Sequence, residues 1–131
     1  MPARFTCDGK DVSPPLRWSK PPPRTRSLAL WLTDPDAPSG VFTHWTLWNL
    51  RPSRRSLPTA VHWRLQGRNT FGRVGFSGPC PPRGEMHFYV FRVYAVDRVL
   101  AIRRGASADT LGNALRGHVL TIGHLVATYG R

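Results

Sequence analysis

His87 to Val96 reads HFYVFRVYAV, a run in which aromatic and β-branched side chains follow a period of two. That period sends His87, Tyr89, Phe91, Val93 and Ala95 to one face of a strand, and Phe88, Val90, Arg92, Tyr94 and Val96 to the other. His87 and Tyr89 therefore point the same way. A second stretch, Ser27 to Thr33 (SLALWLT), is apolar on both sides and short, as in a strand buried within a sheet. Asp34-Pro35-Asp36-Ala37-Pro38 ends it, because two prolines forbid regular pairing and turn the chain. Phe42 to Leu50 (FTHWTLWNL) follows as a third strand. Alternation predicts Phe42, His44, Thr46 and Trp48 on one of its faces, with Trp45 and Leu47 on the other.

Outward from these strands the pattern changes. Arg51 to Gly84 is rich in Arg, Pro and Gly, which predicts long loops with one weak strand around Ala60 to Leu65. Ser107 is placed to cap a short helix ending near Arg116, with Asp109 in its first turn and Gly117 as its stop. His118 to Tyr129 (HVLTIGHLVATY) returns to strand composition. Strands outnumber helices, so the fold class is mainly β, a β-sandwich or α+β arrangement with one or two short helices. No repeat or low-complexity tract divides the chain, and residues 1–131 are expected to form one domain.

The formal net charge of +12 comes almost wholly from arginine, since Lys10 and Lys20 are the only lysines. Such a balance attracts polyanions in general and specifies none of them. No leader-like segment and no run of 18 apolar residues occurs, so a cytoplasmic location without a membrane span is expected. Cys7 and Cys80 are too few and too far apart for a metal knuckle. In a cytoplasm they are expected to be buried free thiols, with a disulfide between them as the alternative.

Chemistry-bearing residues gather where strands meet loops: Asp34, Asp36 and His44 at one place, His87 and Tyr89 at another. Brought together, two imidazoles and a phenol would donate hydrogen bonds to phosphate or carboxylate oxygens. Taken singly, each has an ordinary reading: an Asp-Pro turn, a satisfied core histidine.

Read as words, Asp34-Pro-Asp-Ala-Pro38, Thr43-His44-Trp45, Gly78-Pro-Cys-Pro-Pro82, Gly84 and His87-Phe-Tyr89 resemble the signature segments of the phosphatidylethanolamine-binding proteins, the family that includes the Raf kinase inhibitor protein. Phe5-Thr-Cys-Asp-Gly9, Ser13-Pro-Pro-Leu16 with Trp18, and Gly67 to Gly72 extend the likeness over nearly the whole chain. The resemblance implies a central antiparallel sheet packed on a second sheet, with a pocket at one edge. It assigns Asp34, Asp36, Pro38, His44, Gly78, Pro79, His87 and Tyr89 to that pocket. Gly78 would let the backbone approach a ligand, the histidines would donate to an anion, and Asp34 and Asp36 would orient the histidines or satisfy loop amides. Two departures stand out: Phe88 replaces the family's usual Arg, and relatives usually carry a further segment before Met1, so that an exposed edge could be covered by dimerisation.

These features lead to a non-catalytic ligand-binding or regulatory protein whose pocket takes a small anionic or phosphate-bearing group, such as a phospholipid headgroup. Inhibition of a kinase or protease is a related expectation that the resemblance permits. The enzyme alternative is a hydrolase using Asp34, Asp36, His44 and His87 as acid and base or as metal ligands. It lacks a G-x-S-x-G elbow, and neither a metal nor a cofactor is expected. The third alternative is non-specific nucleic-acid binding through Arg51, Arg54, Arg55, Arg64, Arg68 and Arg73.

Overall fold

The apolar stretches pair with one another into one sheet. The computed structural model describes residues 1–131. It places β1 at Leu16–Arg17, β2 at Ser27–Asp34, β3 at Phe42–Leu50, β4 at Ser56–Leu57, β5 at Met86–Val96, α1 at Ala108–Leu115 and β6 at Val119–Gly130. The long strands form an antiparallel sheet in the order β3-β2-β5-β6, and β1 pairs with β4 in a second, two-stranded sheet. The protein is therefore mainly β with one short helix, plus a single 3-10 turn at Ala3–Phe5. No helix is long and apolar enough to cross a membrane.

β2 lies inside the sheet and is apolar on both faces because each face has its own core. Leu28, Leu30 and Leu32 pack with Trp45, Leu47 and Phe91 beneath Leu16 and Leu57 of the small sheet. Ala29 packs on the opposite side with Trp48 and Val96 against Leu111 and Leu115 of α1. Each such side chain, once buried, contributes roughly 1.5–3 kcal/mol relative to exposure. The helix starts where its cap is: the Ser107 hydroxyl accepts from the Thr110 N–H, and Gly117 beyond the C-cap adopts a φ of +80°.

Three expectations are corrected. The segment Ala60 to Leu65 forms no strand. Ala60 takes a φ of +54°, and the segment is held by isolated bonds such as the Trp63 indole to the Trp48 carbonyl, so the first bridge to β3 comes only at Leu47 and Gln66. Strict alternation also fails in β3. Leu32 pairs with Trp45 but Thr33 pairs with Thr43, which makes His44 the extra residue of a β-bulge. A bulge re-aims side chains. Phe42 and His44 consequently face the same side of the sheet as Trp45 and Leu47, while Trp48 enters the other core. Finally, Cys7 and Cys80 are not buried thiols: both are exposed and joined in a disulfide with Cα atoms 5.4 Å apart. The Cys7 N–H donates to the Pro79 carbonyl, which docks the N-terminal turn on the loop that carries Cys80.

Candidate functional site

At one end of the sheet, where β2 and β3 are joined and β5 begins, the side chains enclose a cavity of about 280 Å³. Its wall includes Asp34, Pro38, Phe42, His44, His87 and Tyr89, closed by Phe71 and by Cys80, Pro81 and Pro82 of the loop before β5. The period of two in β5 supplies His87 and Tyr89, β2 ends at Asp34, and the bulge of β3 supplies His44. Pro35 and Pro38 stop the strand and let the loop turn over the cavity.

The polar groups are organised around His87. Its Nδ1 lies 2.7 Å from Asp34 Oδ2 and its Nε2 lies 2.8 Å from Glu85 Oε1. A carboxylate on each nitrogen favours the doubly protonated ring, and the hydrogen bonds to Glu85 and then Asp34 raise its pKa above the ordinary value of 6.5. Asp34 Oδ1 also accepts from the Asp36 N–H, and Asp36 Oδ2 accepts from the Phe88 N–H. The first carboxylate thus aligns the imidazole and its own loop, and the second ties that loop to β5.

His44 behaves differently. It lies 2.7 Å from the Ser77 carbonyl through Nδ1, which must therefore be the protonated nitrogen. Burial lowers its pKa, so the ring is neutral near pH 7 and Nε2 is left as an acceptor. Tyr89 packs edge-on against His44 with ring centroids 5.5 Å apart, and its buried hydroxyl has no protein partner. Burial and then Asp34 push its pKa upward, which keeps it a donor. The cavity therefore combines an imidazole whose protonated form is favoured by its two carboxylates, one unpaired phenol and one imidazole acceptor.

Of the residues expected at the pocket, Asp34, Pro38, His44, His87 and Tyr89 line it together, whereas Asp36, Gly78 and Pro79 do not. Gly78 faces the N-terminal segment: its N–H donates to Asp11 Oδ1 at 2.7 Å, and a Cβ there would collide with the Phe5 carbonyl. Its missing side chain serves chain docking. We expect Gly78→Ala to cost about 1–3 kcal/mol in urea unfolding by overpacking this contact. Phe88 is 47% exposed and points away from His87, so the departure at this position leaves the cavity wall intact. Glu85 and Phe71 were missed. The period of two, extended back from His87, places Glu85 on the same side; nothing local marks Phe71, whose ring meets Phe42 at 4.7 Å across the fold.

Three of the six loop arginines staple those loops. Arg54 donates to the Ser56 carbonyl and lies over the Trp63 ring, Arg55 donates to the Pro52 carbonyl, and Arg68 donates to the Gly72 carbonyl.

A family model described as phosphatidylethanolamine-binding protein matches residues 1–130. A UPF0098 protein of Pyrococcus abyssi is 43% identical over all of this chain and 79% of its own length. Another, from Methanothermobacter thermautotrophicus, is 44% identical over all of this chain and 91% of its own. Among solved structures, a phosphatidylethanolamine-binding protein homolog from Chlamydia trachomatis superposes with a TM-score of 0.93 at 36% identity, covering 99% of this chain and 88% of that one. Escherichia coli YbcL, described as a new member of the mammalian family, gives 0.88 at 33% identity, covering 97% and 85%. Fold, sequence and the ordered motifs agree, and the chain belongs to the phosphatidylethanolamine-binding protein family.

Proposed function

We propose that the cavity binds a small phosphate-bearing or carboxylate group without transforming it. The observation that carries this reading is Glu85. Its half-exposed carboxylate rests on His87 Nε2, the position that an oxygen of a bound anion would take. The site thus holds a tethered anion of its own, one that a ligand can displace because Glu85 is half-exposed whereas Asp34 is buried. The Tyr89 phenol supplies a second donor, and His44 Nε2 accepts from a protonated ligand oxygen. That combination suits a hydrogen phosphate group, which offers acceptors and a donor at once. The cavity is headgroup-sized, which makes a phospholipid headgroup or a free phosphomonoester the ligand class.

Hydrolysis through the same residues is less well supported. Ser77 is buried outside the cavity wall, with its hydroxyl accepting from the Asn69 amide. Kinase or protease inhibition rests on the family resemblance, and polyanion attraction on the charge of +12 alone. A cytoplasmic location agrees with an intact exposed disulfide in a hyperthermophile, whose intracellular proteins keep such bridges; in a mesophile the bridge requires an oxidising compartment.

The test is Glu85→Ala, titrated with O-phosphorylethanolamine at pH 6 while the histidine ring signals are followed by NMR. Removing the internal competitor should tighten binding by about 10-fold, the order of one hydrogen bond to a charged group. Unchanged or weaker binding, or shifts erased by moderate salt, would sink the reading.

A further inference from the structure

The end of β3 opposite the cavity carries a cluster of cations. Arg51-Pro52-Ser53-Arg54 is a β-turn, closed by the Arg54 N–H on the Arg51 carbonyl at 3.0 Å. Its first and last residues therefore stand side by side, with Cα atoms within ~7 Å, and Pro52 fixes the first corner. The Trp18 indole donates to the Arg54 carbonyl at 2.8 Å, and the Arg55 guanidinium donates to the Pro52 and Arg54 carbonyls. The turn is held in place before any ligand arrives, which spares a ligand the cost of ordering it.

No carboxylate answers this charge. The chain has seven acidic residues, and none falls between Asp36 and Glu85. Asp97, just past the β5 end that lies across β2 from the turn, is taken by His118 at 2.9 Å. None of the four ion pairs in the molecule includes Arg51 or Arg54.

Arg51, Ser53, Arg54, Ser56 and Trp63 enclose an open basin of about 550 Å³. Arg54 is aimed by two contacts: its Nε donates to the Ser56 carbonyl at 2.8 Å, and its guanidinium carbon lies 5.9 Å from the Trp63 ring centre. Its terminal nitrogens have no protein partner. Trp63 is fixed in turn by its indole N–H, which donates to the Trp48 carbonyl at 2.9 Å. Arg51, Ser53 and Ser56 are exposed, and Arg17 stands opposite Ser56 in the β1–β4 pair.

We propose that this basin is a nucleotide site, in which Arg51 and Arg54 hold a phosphate, the serine hydroxyls add donors, and the indole and guanidinium of Trp63 and Arg54 form the platform for a base. The platform contributes only when the ligand carries a planar ring, so the basin prefers a nucleotide to bare phosphate. β3 runs from Phe42 at the cavity to Leu50 at the turn, which sets the two sites roughly 25 Å apart at about 3.3 Å per residue. A free nucleotide and one unit of a single strand share this chemistry, and Arg17 extends the positive surface that a strand would follow.

The probes are adenosine monophosphate, inorganic phosphate and a short thymidine oligonucleotide without a terminal phosphate, each titrated into the full chain in moderate salt. Binding is read by NMR at the Trp63 indole N–H, identified through Trp63→Phe, with the His87 ring signals reporting the cavity separately. Adenosine monophosphate and the oligonucleotide should both shift the indole, and inorganic phosphate should bind there about 10-fold more weakly than the monophosphate. Arg51→Ala should weaken both nucleotide probes about 10-fold with an unchanged circular dichroism spectrum, since the side chain is exposed. Arg73→Ala removes the same charge at the cavity end of the molecule and should change binding less than about twofold, because salt screens it over that distance. Tighter binding of the oligonucleotide, falling steeply with salt, supports the site and names a single strand as the source; tighter binding of the monophosphate supports it and names the free nucleotide. Inorganic phosphate bound as tightly as the monophosphate, Arg73→Ala as damaging as Arg51→Ala, or shifts confined to the His87 ring overturns the proposal. O-phosphotyrosine bound more tightly than either nucleotide probe also overturns it and reassigns the basin to a phosphorylated protein.

Discussion

Replacing Cys7 and Cys80 together with serine should lower stability by about 4 kcal/mol, the largest loss expected from any exposed pair in the molecule. The bridge closes a loop of 73 residues of sequence separation, and the entropy that a crosslink removes from the unfolded chain grows with the logarithm of loop length. For a domain of this size such a loss lowers Tm by roughly 15 °C. The native contacts around the bridge act in the same direction. Cys7 N–H to Pro79 O and Gly78 N–H to Asp11 Oδ1 lock the N-terminal turn onto the loop before β5. The hydroxyl of Tyr129 donates to Asp8, which also pairs with Arg131 at 3.1 Å. Cys80 forms part of the cavity wall, so the serine variant should bind phosphorylethanolamine more weakly as well as melt earlier. Calorimetry of the oxidised protein, the reduced protein and the double variant measures the effect. A fall in Tm shared by the last two supports it, whereas no difference from the oxidised protein would show that the docked turn holds without its crosslink.

His87→Ala should abolish measurable anion binding, a loss of about 100-fold, because it removes the cationic donor of the cavity. The same residue sets the pH dependence. With its pKa raised in the folded state by Glu85 and Asp34, His87 contributes stability that is fully present below 6.5 and is lost as pH rises through the folded value. Anion affinity should follow the same direction and decline as the imidazolium loses its proton. His44 has the opposite sign. Its folded pKa is lowered by burial, so stability falls as pH drops from 6.5 toward that folded value, where the unfolded chain takes up a proton and the folded one does not. Comparing unfolding free energies of wild type, His87→Ala and His44→Phe between pH 5 and pH 8 separates the two. The wild-type profile should lose its high-pH decline in the first variant and its low-pH decline in the second. Binding by His87→Ala as tight as wild type, at any pH in this range, would remove the anion from the cavity.

Much of the fold was legible because its signals are local. The period of two in His87 to Val96 reports the two faces of β5, the doubly apolar Ser27 to Thr33 reports a strand with a core on each side, and Ser107, Asp109 and Gly117 bracket α1. The family motifs likewise gathered five residues that now line one cavity: Asp34, Pro38, His44, His87 and Tyr89. What a residue meets across the fold depends instead on register and on distances through space, and periodicity carries neither. The bulge that turns His44 toward the cavity arises where β3 gains one residue against β2, which only the pairing reveals. The crosslink from Cys7 to Cys80, the close approach of Gly78 to the Phe5 carbonyl, and the Glu85 carboxylate on His87 are contacts of the same kind. Local physics wrote the strands, the turns and the helix cap into the sequence; the occupancy of His87 and the bulge at His44 were decided by which strands became neighbours.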